Sequence, residues 1–493
     1  MVSVKSRSAL VLGVVAAALS LPVVDASTAG AASASLTRAP YLSDLTSSAV
    51  KVNFGTSTSI AKVRARYGVS SGGSCSLTSV GTATTTKQGY TVSYPTSSGT
   101  ATAAGNQWKI QLSGLSKATY CYRIEGATST TSTTYTDLLG TAASPTFRTT
   151  TANTFAVIGD WGQTGPGAPD FTNVNQANVI SQLAHSGASF ALATGDIGYP
   201  SGSQSTYGDL THTGSGVSAV FGPKYWPVAG KSIPLYPTPG NHGFNSTFTS
   251  LWPSTSVASA SGGRAGNGSH TVNGSTVTAP DYWYAFNVNG WRIYNLTAAW
   301  ATTVTSGSTA FAEDYKQHWA PGAPERNWLT ADLTNHSGPK MVVFHYPLYS
   351  AVQTGDVQDS YLTDPPDKTQ SVENLLATHN VKLVFNGHSH IYQRNNVHNG
   401  LISIVSGGGG AGLSPVARNT QAMCEQTFAD NGRPVVARAV GWSSSGGSAC
   451  HTTVPTSAAH VYNFLKVTLS SGTATVHAID STGAQIDSVT VSG

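Results

Sequence analysis

The feature that most constrains this chain is a pattern repeated five times: a short apolar run stops abruptly at Asp, Asn or His, in four cases introduced by glycine. Phe155–Ile158 runs into Gly159-Asp160-Trp161-Gly162, and Phe190–Thr194 into Gly195-Asp196-Ile197-Gly198-Tyr199. Leu235–Pro239 runs into Gly240-Asn241-His242, Met341–Phe344 into His345-Tyr346-Pro347, and Val381–Phe385 into Asn386-Gly387-His388-Ser389-His390. Apolar runs this short, bounded by turn residues, read as buried strands. The first two flank a helical stretch, Asn173–His185, which gives the strand–helix–strand order of a parallel sheet. In such sheets the carboxyl ends of the strands form the crevice where ligands bind. A lone Gly-Asp after a strand is ordinarily a turn, and His388 with His390 alone fits a surface turn as well as a metal site. Five such blocks in one chain point to one shared site. The donors are oxygen and nitrogen without thiolate, which suits iron, zinc or manganese.

Charged residues make up only 10% of the 493, the net charge is +4, and no basic cluster occurs. Nucleic acid is therefore a poor partner. Lys5 and Arg7 precede an apolar run, Ala9–Val24, and small residues follow to Ala34. This reads as a signal peptide over 1–34 and hence a secreted, extracellular protein. The run is too short and proline-interrupted to anchor the chain, and no later segment is long and apolar enough to span a bilayer, so no membrane partner is expected. Four cysteines in an oxidising compartment imply two disulfides. Three connectivities are possible, and proximity favours Cys75–Cys121 and Cys424–Cys450.

Residues 35–150 read as all-β, with period-two alternation at Ala49–Phe54, Lys62–Tyr67 and Trp108–Leu112. Gly114-Leu115 followed by Tyr120-Cys121-Tyr122 has the form of a tyrosine corner, and the segment resembles a fibronectin type III sandwich. It carries no catalytic constellation and reads as a spacer or lid. Residues 151–493 form the second domain, which 400–493 completes. Within it Ser256–Pro280 reads as a surface loop, Tyr282–Leu296 as a hairpin turning at Asn289-Gly290, and Glu325–Leu333 as a helix. Gly407–Gly410 lacks the Lys-Ser/Thr of a phosphate loop and reads as a flexible strand-end loop near the site.

Taken in order, Gly-Asp-x-Gly, Gly-Asp-x-x-Tyr, Gly-Asn-His, His and Gly-His-x-His resemble the metallophosphoesterase superfamily and, within it, the purple acid phosphatases. Gly162 stands where the wider superfamily has histidine, and Tyr199 where it has another residue; that exchange marks the subgroup. The fold implied is α/β: an N-terminal fibronectin III-like sandwich followed by an α/β/β/α metallophosphoesterase sandwich. The resemblance implies that Asp160, Tyr199 and His390 hold Fe(III). It implies that Asn241, His345 and His388 hold a divalent ion (Zn, Fe or Mn), and that Asp196 bridges the two. His242 would face the substrate, donating a hydrogen bond to phosphate or a proton to the leaving group, so the catalytic roles fall to His242 and Asp196. The implied activity is that of an acid phosphatase, hydrolysing small-molecule phosphate monoesters by attack of a metal-activated hydroxide. Alternatives are a phosphodiesterase or nucleotidase on the same site, or a secreted binding protein with a vestigial one. The chain departs from the family at Gly243, where an acidic residue is usual, and in having no histidine from Tyr346 to Ser360. That leaves Tyr346, Tyr349 and Gln353 as candidates for substrate contact, and Arg394 reads as a scaffold residue.

Overall fold

The strand Lys340–Val343 shows how the catalytic half is layered. Met341 and Val343 enter one buried cluster while Val342, with Phe344 just beyond, enters another. Val381–Asn386 divides likewise, Leu383 and Phe385 against Val381 and Val384. Successive side chains of a strand point to opposite faces, so a strand apolar throughout is covered on both. One face meets a second sheet. The other meets the helices Pro324–Asn335 and Val372–Thr378 through Leu329, Leu333, Leu375 and Leu376. This is the α/β/β/α arrangement expected. The computed structural model describes residues 35–82, 87–149, 153–162, 174–212, 220–272, 275–299, 314–352, 361–363, 370–416 and 434–493. The signal-peptide segment 1–34, Gln353 and Cys424 lie outside these residues.

Each layer has a parallel centre. Thr154–Ile158, Ala191–Ala193 and Leu235–Tyr236 pair in parallel within a ten-stranded sheet. Trp291–Asn295, Lys340–Val343, Val381–Asn386 and Ile402–Ser406 do so within a nine-stranded one. The helix Val174–His185 lays Val179, Ile180 and Leu183 into the core of the first. The hairpin turns where the sequence placed it, with Asn289 at φ 47° and Gly290 at φ 84°, as a two-residue turn with both central residues left-handed requires. Residues 434–493 extend both sheets, with Asn463–Ser470 pairing antiparallel to Thr154–Ile158.

Residues 35–149 form the expected β-sandwich, and the Ser116 amide donates to Tyr120 Oη (2.9 Å), as in a tyrosine corner. They do not stand apart from the catalytic half. Leu36–Ser43 joins the ten-stranded sheet through Ser43 opposite Leu235, and one buried cluster contains Val52, Ile110 and Tyr122 together with Phe155, Leu192 and Phe385. The module shares the core of the catalytic half. Cys75 is bonded to Cys121, and Cys450 is also disulfide-bonded.

Two further readings are corrected. Ser256–Pro280 is not a loop: a helix at Thr255–Ala260 leads into paired strands Arg264–Val272 and Ser275–Val288. Gly407–Gly410 does follow the strand Ile402–Ser406 beside the site, but it is tightly packed and not flexible. A Cβ at Gly407 would lie 2.1 Å from Ser389 O, and one at Gly409 2.3 Å from Gly159 O.

Behind the second sheet Glu325 is fully buried. It accepts from Thr297 N (2.8 Å) and faces His318 Nδ1 (2.8 Å), with buried Asp314 close by. Burial pushes its carboxyl from an ordinary 4.5 up to about 7, with His318 and the Thr297 amide pulling the other way. A folded-state pKa raised above the unfolded value contributes stability that is full below about pH 4.5 and is lost as pH rises through about 7. Glu325→Gln is expected to remove this slope. Urea midpoints of variant and wild type should be close at pH 5. By pH 8 the variant should be the more stable, by on the order of 3 kcal/mol.

Candidate metal centre

The seven candidate ligands and His242 meet at the carboxyl ends of five parallel strands, Asp160, Asp196, His345 and Tyr199 buried and the other four half-buried. Local backbone puts them there. Asp160, Asp196 and His388 adopt φ of 55°, 48° and 65°, a left-handed conformation that costs non-glycine residues about 1–3 kcal/mol and persists only where the surroundings enforce it. The strand ends also approach very closely. A Cβ at Gly240 would lie 2.1 Å from Asp196 Oδ1, and one at Gly387 2.4 Å from Asp160 Oδ2, so a side chain at either glycine would displace a carboxylate.

The donors fall into two groups. In the first, Tyr199 Oη donates to Asp160 Oδ1 (3.0 Å) and lies 2.9 Å from His390 Nε2, itself 3.5 Å from Asp160 Oδ1. In the second, Asn241 Oδ1 lies 2.7 Å from His345 Nε2 and 3.0 Å from His388 Nδ1. Asp196 faces both groups. Its Oδ1 is 3.3 Å from His345 Nε2, and its charge helps hold the Tyr199 phenol protonated. Donor atoms of Asp160, Asp196 and His345 all lie within 4.8 Å of one another.

The chemistry of this set fits cations. His345 Nδ1 donates to Thr194 O (3.0 Å) and His390 Nδ1 to Gly412 O (2.5 Å). Each imidazole is thereby fixed with Nε2 turned toward the site, the usual arrangement of a metal-ligating histidine. His345 Nε2, Asn241 Oδ1 and Asp196 Oδ1 are then three acceptors crowded together, which only positive charge can reconcile. Ligands about 2.0–2.2 Å from one ion lie about 3 Å from each other, and these separations match. Among the protein's own groups a proton takes the ion's place: burial opposes charge on His345, yet Asp196 lifts it to about 9. Burial likewise opposes ionisation of Asp196, but His345 outweighs it and holds the carboxyl well below the usual range. Burial, then Asp160 and Asp196, push the Tyr199 phenol well above its ordinary value. Only a cation in contact could make it a phenolate.

His242 sits beside these groups and is not among them. Its amide donates to Asp196 Oδ1 (2.8 Å), its Nδ1 to Pro200 O (2.7 Å), and its ring lies against that of Tyr199 with centroids 4.4 Å apart. The Pro200 carbonyl thus orients this imidazole in a chain that has Gly243 where an acidic neighbour was expected. Tyr349 turns away, its hydroxyl donating to Glu373 (2.6 Å). Arg394 pairs with Asp487 (2.7 Å), a scaffold contact. Sequence reasoning missed the Thr194, Pro200 and Gly412 carbonyls, because any residue type supplies a carbonyl. It also missed the stacking of Tyr346 on His388.

Comparisons with known proteins agree with this geometry. Residues 154–392 match the family described as calcineurin-like phosphoesterase, a span that contains all five strand-end blocks. The fold is similar to that of purple acid phosphatase PPD1 from yellow lupin (Lupinus luteus) seeds, with TM-score 0.55 and 16% identity over 92% of this chain and 74% of that one. Looser similarity is found to a dimetal phosphatase from Danio rerio (TM-score 0.37, 13% identity, 69% of this chain and 98% of that). It extends also to GAP50, the anchor in the inner membrane complex of Plasmodium (TM-score 0.36, 14% identity, 69% and 88%). No curated protein matches the sequence. Residues 154–392 thus match the calcineurin-like phosphoesterase family, in a chain whose fold is similar to that of the lupin purple acid phosphatase.

Proposed function

We propose that this is a secreted phosphatase with a two-cation site that hydrolyses phosphate monoesters. The observation that carries the reading is the split of the donors into two groups with Asp196 between them. Asp160, Tyr199 and His390 would hold one ion, Asn241, His345 and His388 the other, with Asp196 shared. A phenolate donor favours Fe(III) in the first place; the second suits a divalent Zn, Fe or Mn ion. Such a pair supplies Lewis-acid charge at the phosphoryl group and acidifies bound water.

The chain's own residues do the rest. Thr194 and Gly412 fix the imidazoles so that no reorganisation is needed on binding. His242, held by Pro200 through Nδ1 and by Asp196 through its amide, directs Nε2 outward. There it can hydrogen-bond a phosphoryl oxygen or hand a proton to the departing alkoxide. Half-buried Asn241, His242, His388 and His390 form the open side of the site, where a small phosphate ester can enter.

The test is the visible spectrum of the purified protein together with turnover of monoester and diester substrates. A violet tyrosinate-to-iron band is expected in the wild type and should be absent from Tyr199→Phe, with monoester turnover well above diester. A metal-loaded wild type without the band would overturn the iron assignment. Preferential diester turnover would overturn the monoester one.

A further inference from the structure

The geometry points to Tyr346 as a positioning residue that fixes the His388 imidazole on its cation, an inference that rests on the two-cation reading. The Tyr346 ring lies face-on to that of His388, centroids 3.8 Å apart and planes 20° apart, and meets the His345 ring edge-on at 5.8 Å. His388 has particular need of such a support. Its backbone is left-handed at φ 65°, and it follows a glycine. His345 and His390 are each oriented by a carbonyl at Nδ1. His388 turns Nδ1 itself toward Asn241, and the Tyr346 ring against its face limits rotation of the imidazole.

Tyr346 is itself held firmly. Its amide donates to Ala298 O (3.0 Å), and its carbonyl accepts from Asn386 Nδ2 (3.0 Å). Asn386 also donates to Phe344 O (3.0 Å), and Gly387 N donates to His345 O (2.9 Å). The two strand ends bearing His345 and His388 are thus cross-linked, and the buried Tyr346 ring transmits that rigidity to the imidazole. Outer partners of metal-ligating histidines are typically worth about 10–100-fold in metal affinity.

The experiment loads full-length wild type, Tyr346→Phe and Tyr346→Leu with ferric iron and zinc, then dialyses each against graded chelator. Iron and zinc are counted separately, and the thermal midpoint of each metal-free protein is recorded. Tyr346→Phe keeps the flat ring and should match wild type. Tyr346→Leu should release zinc at about 10–100-fold lower chelator concentration while keeping iron and the violet band. The inference is overturned if Tyr346→Leu holds zinc as tightly as wild type. It is also overturned if both metals are lost in parallel with a fall in the metal-free midpoint, since that is a structural role. A wild type that fails to take up one iron and one zinc removes the two-cation reading and this inference with it. A wild type that takes both, alongside an unaffected Tyr346→Leu, removes this inference alone.

Discussion

Asp196→Asn is expected to release both cations together and to lower phosphoesterase turnover by at least about a thousandfold, since metal charge at the phosphoryl group supplies several kcal/mol at about 1.4 kcal/mol per factor of ten. Asp196 is the residue that faces both donor groups, His345 on one side and Tyr199 on the other. Asparagine has the same shape, and the His242 amide that now donates to Asp196 Oδ1 still finds an oxygen. What is lost is the negative charge and one acceptor. Each ion would then lack a carboxylate oxygen, and the charge that offsets their mutual repulsion is gone. His390→Ala, by contrast, removes a donor from one group only and should release one ion. Elemental analysis of both variants, with circular dichroism to show that each is folded, checks the difference. Retention of one full equivalent by Asp196→Asn would mean that Asp196 does not bridge.

The eight side chains at this site were legible in the sequence for a physical reason. A strand buried on both faces is apolar throughout, so its end is abrupt, and a polar residue beyond a glycine stands out. Parallel pairing then brings separate ends to one crevice. The supporting contacts lack any such signature. The Gly412 carbonyl reaches His390 from 22 residues further along the chain, and Tyr346 looks like any residue following a strand. The pairing of Arg264–Val272 with the first half of Ser275–Val288 was hidden because those segments are rich in small and polar residues such as Gly, Ser and Thr, a composition shared with loops. Its register is set by Trp283 and Tyr282 opposite Arg264 and Ala265, which anchor the polar arm to the core. The fusion of the N-terminal module with the catalytic half was hidden too, because alternation shows that a strand has a buried face and not what buries it.

The largest loss of stability is expected at Arg38, which sits at that fusion. Its guanidinium is fully buried. Nε donates to Gly208 O (2.9 Å), Nη1 to Gln204 Oε1 (2.8 Å) and Gln107 Oε1 (3.2 Å), and Nη2 to Gln204 O (3.2 Å). The rings of Tyr90 and Phe221 lie over it at 3.8 and 4.9 Å. One side chain therefore joins the module, through Gln107 and Tyr90, to the segment that follows Tyr199, through Gln204 and Gly208. Two opposing effects decide what replacement does. Burying a cation without a bonded carboxylate is costly, and here burial lowers the Arg38 pKa, so removing the charge relieves something. Against that, the two glutamine side chains can turn to new partners and the Gln204 carbonyl keeps the Gly208 amide, whereas the Gly208 carbonyl is fixed in the backbone, and a buried acceptor left unpaired costs about 1–3 kcal/mol. Arg38→Met keeps most of the volume and should lose about 1–3 kcal/mol. Arg38→Ala adds a cavity between Tyr90 and Phe221 and should lose about 3–5 kcal/mol. Urea unfolding followed by tryptophan fluorescence measures both. If Arg38→Met were as stable as wild type, desolvation of the guanidinium would balance all four hydrogen bonds, and the shared core alone would hold the module to the catalytic half.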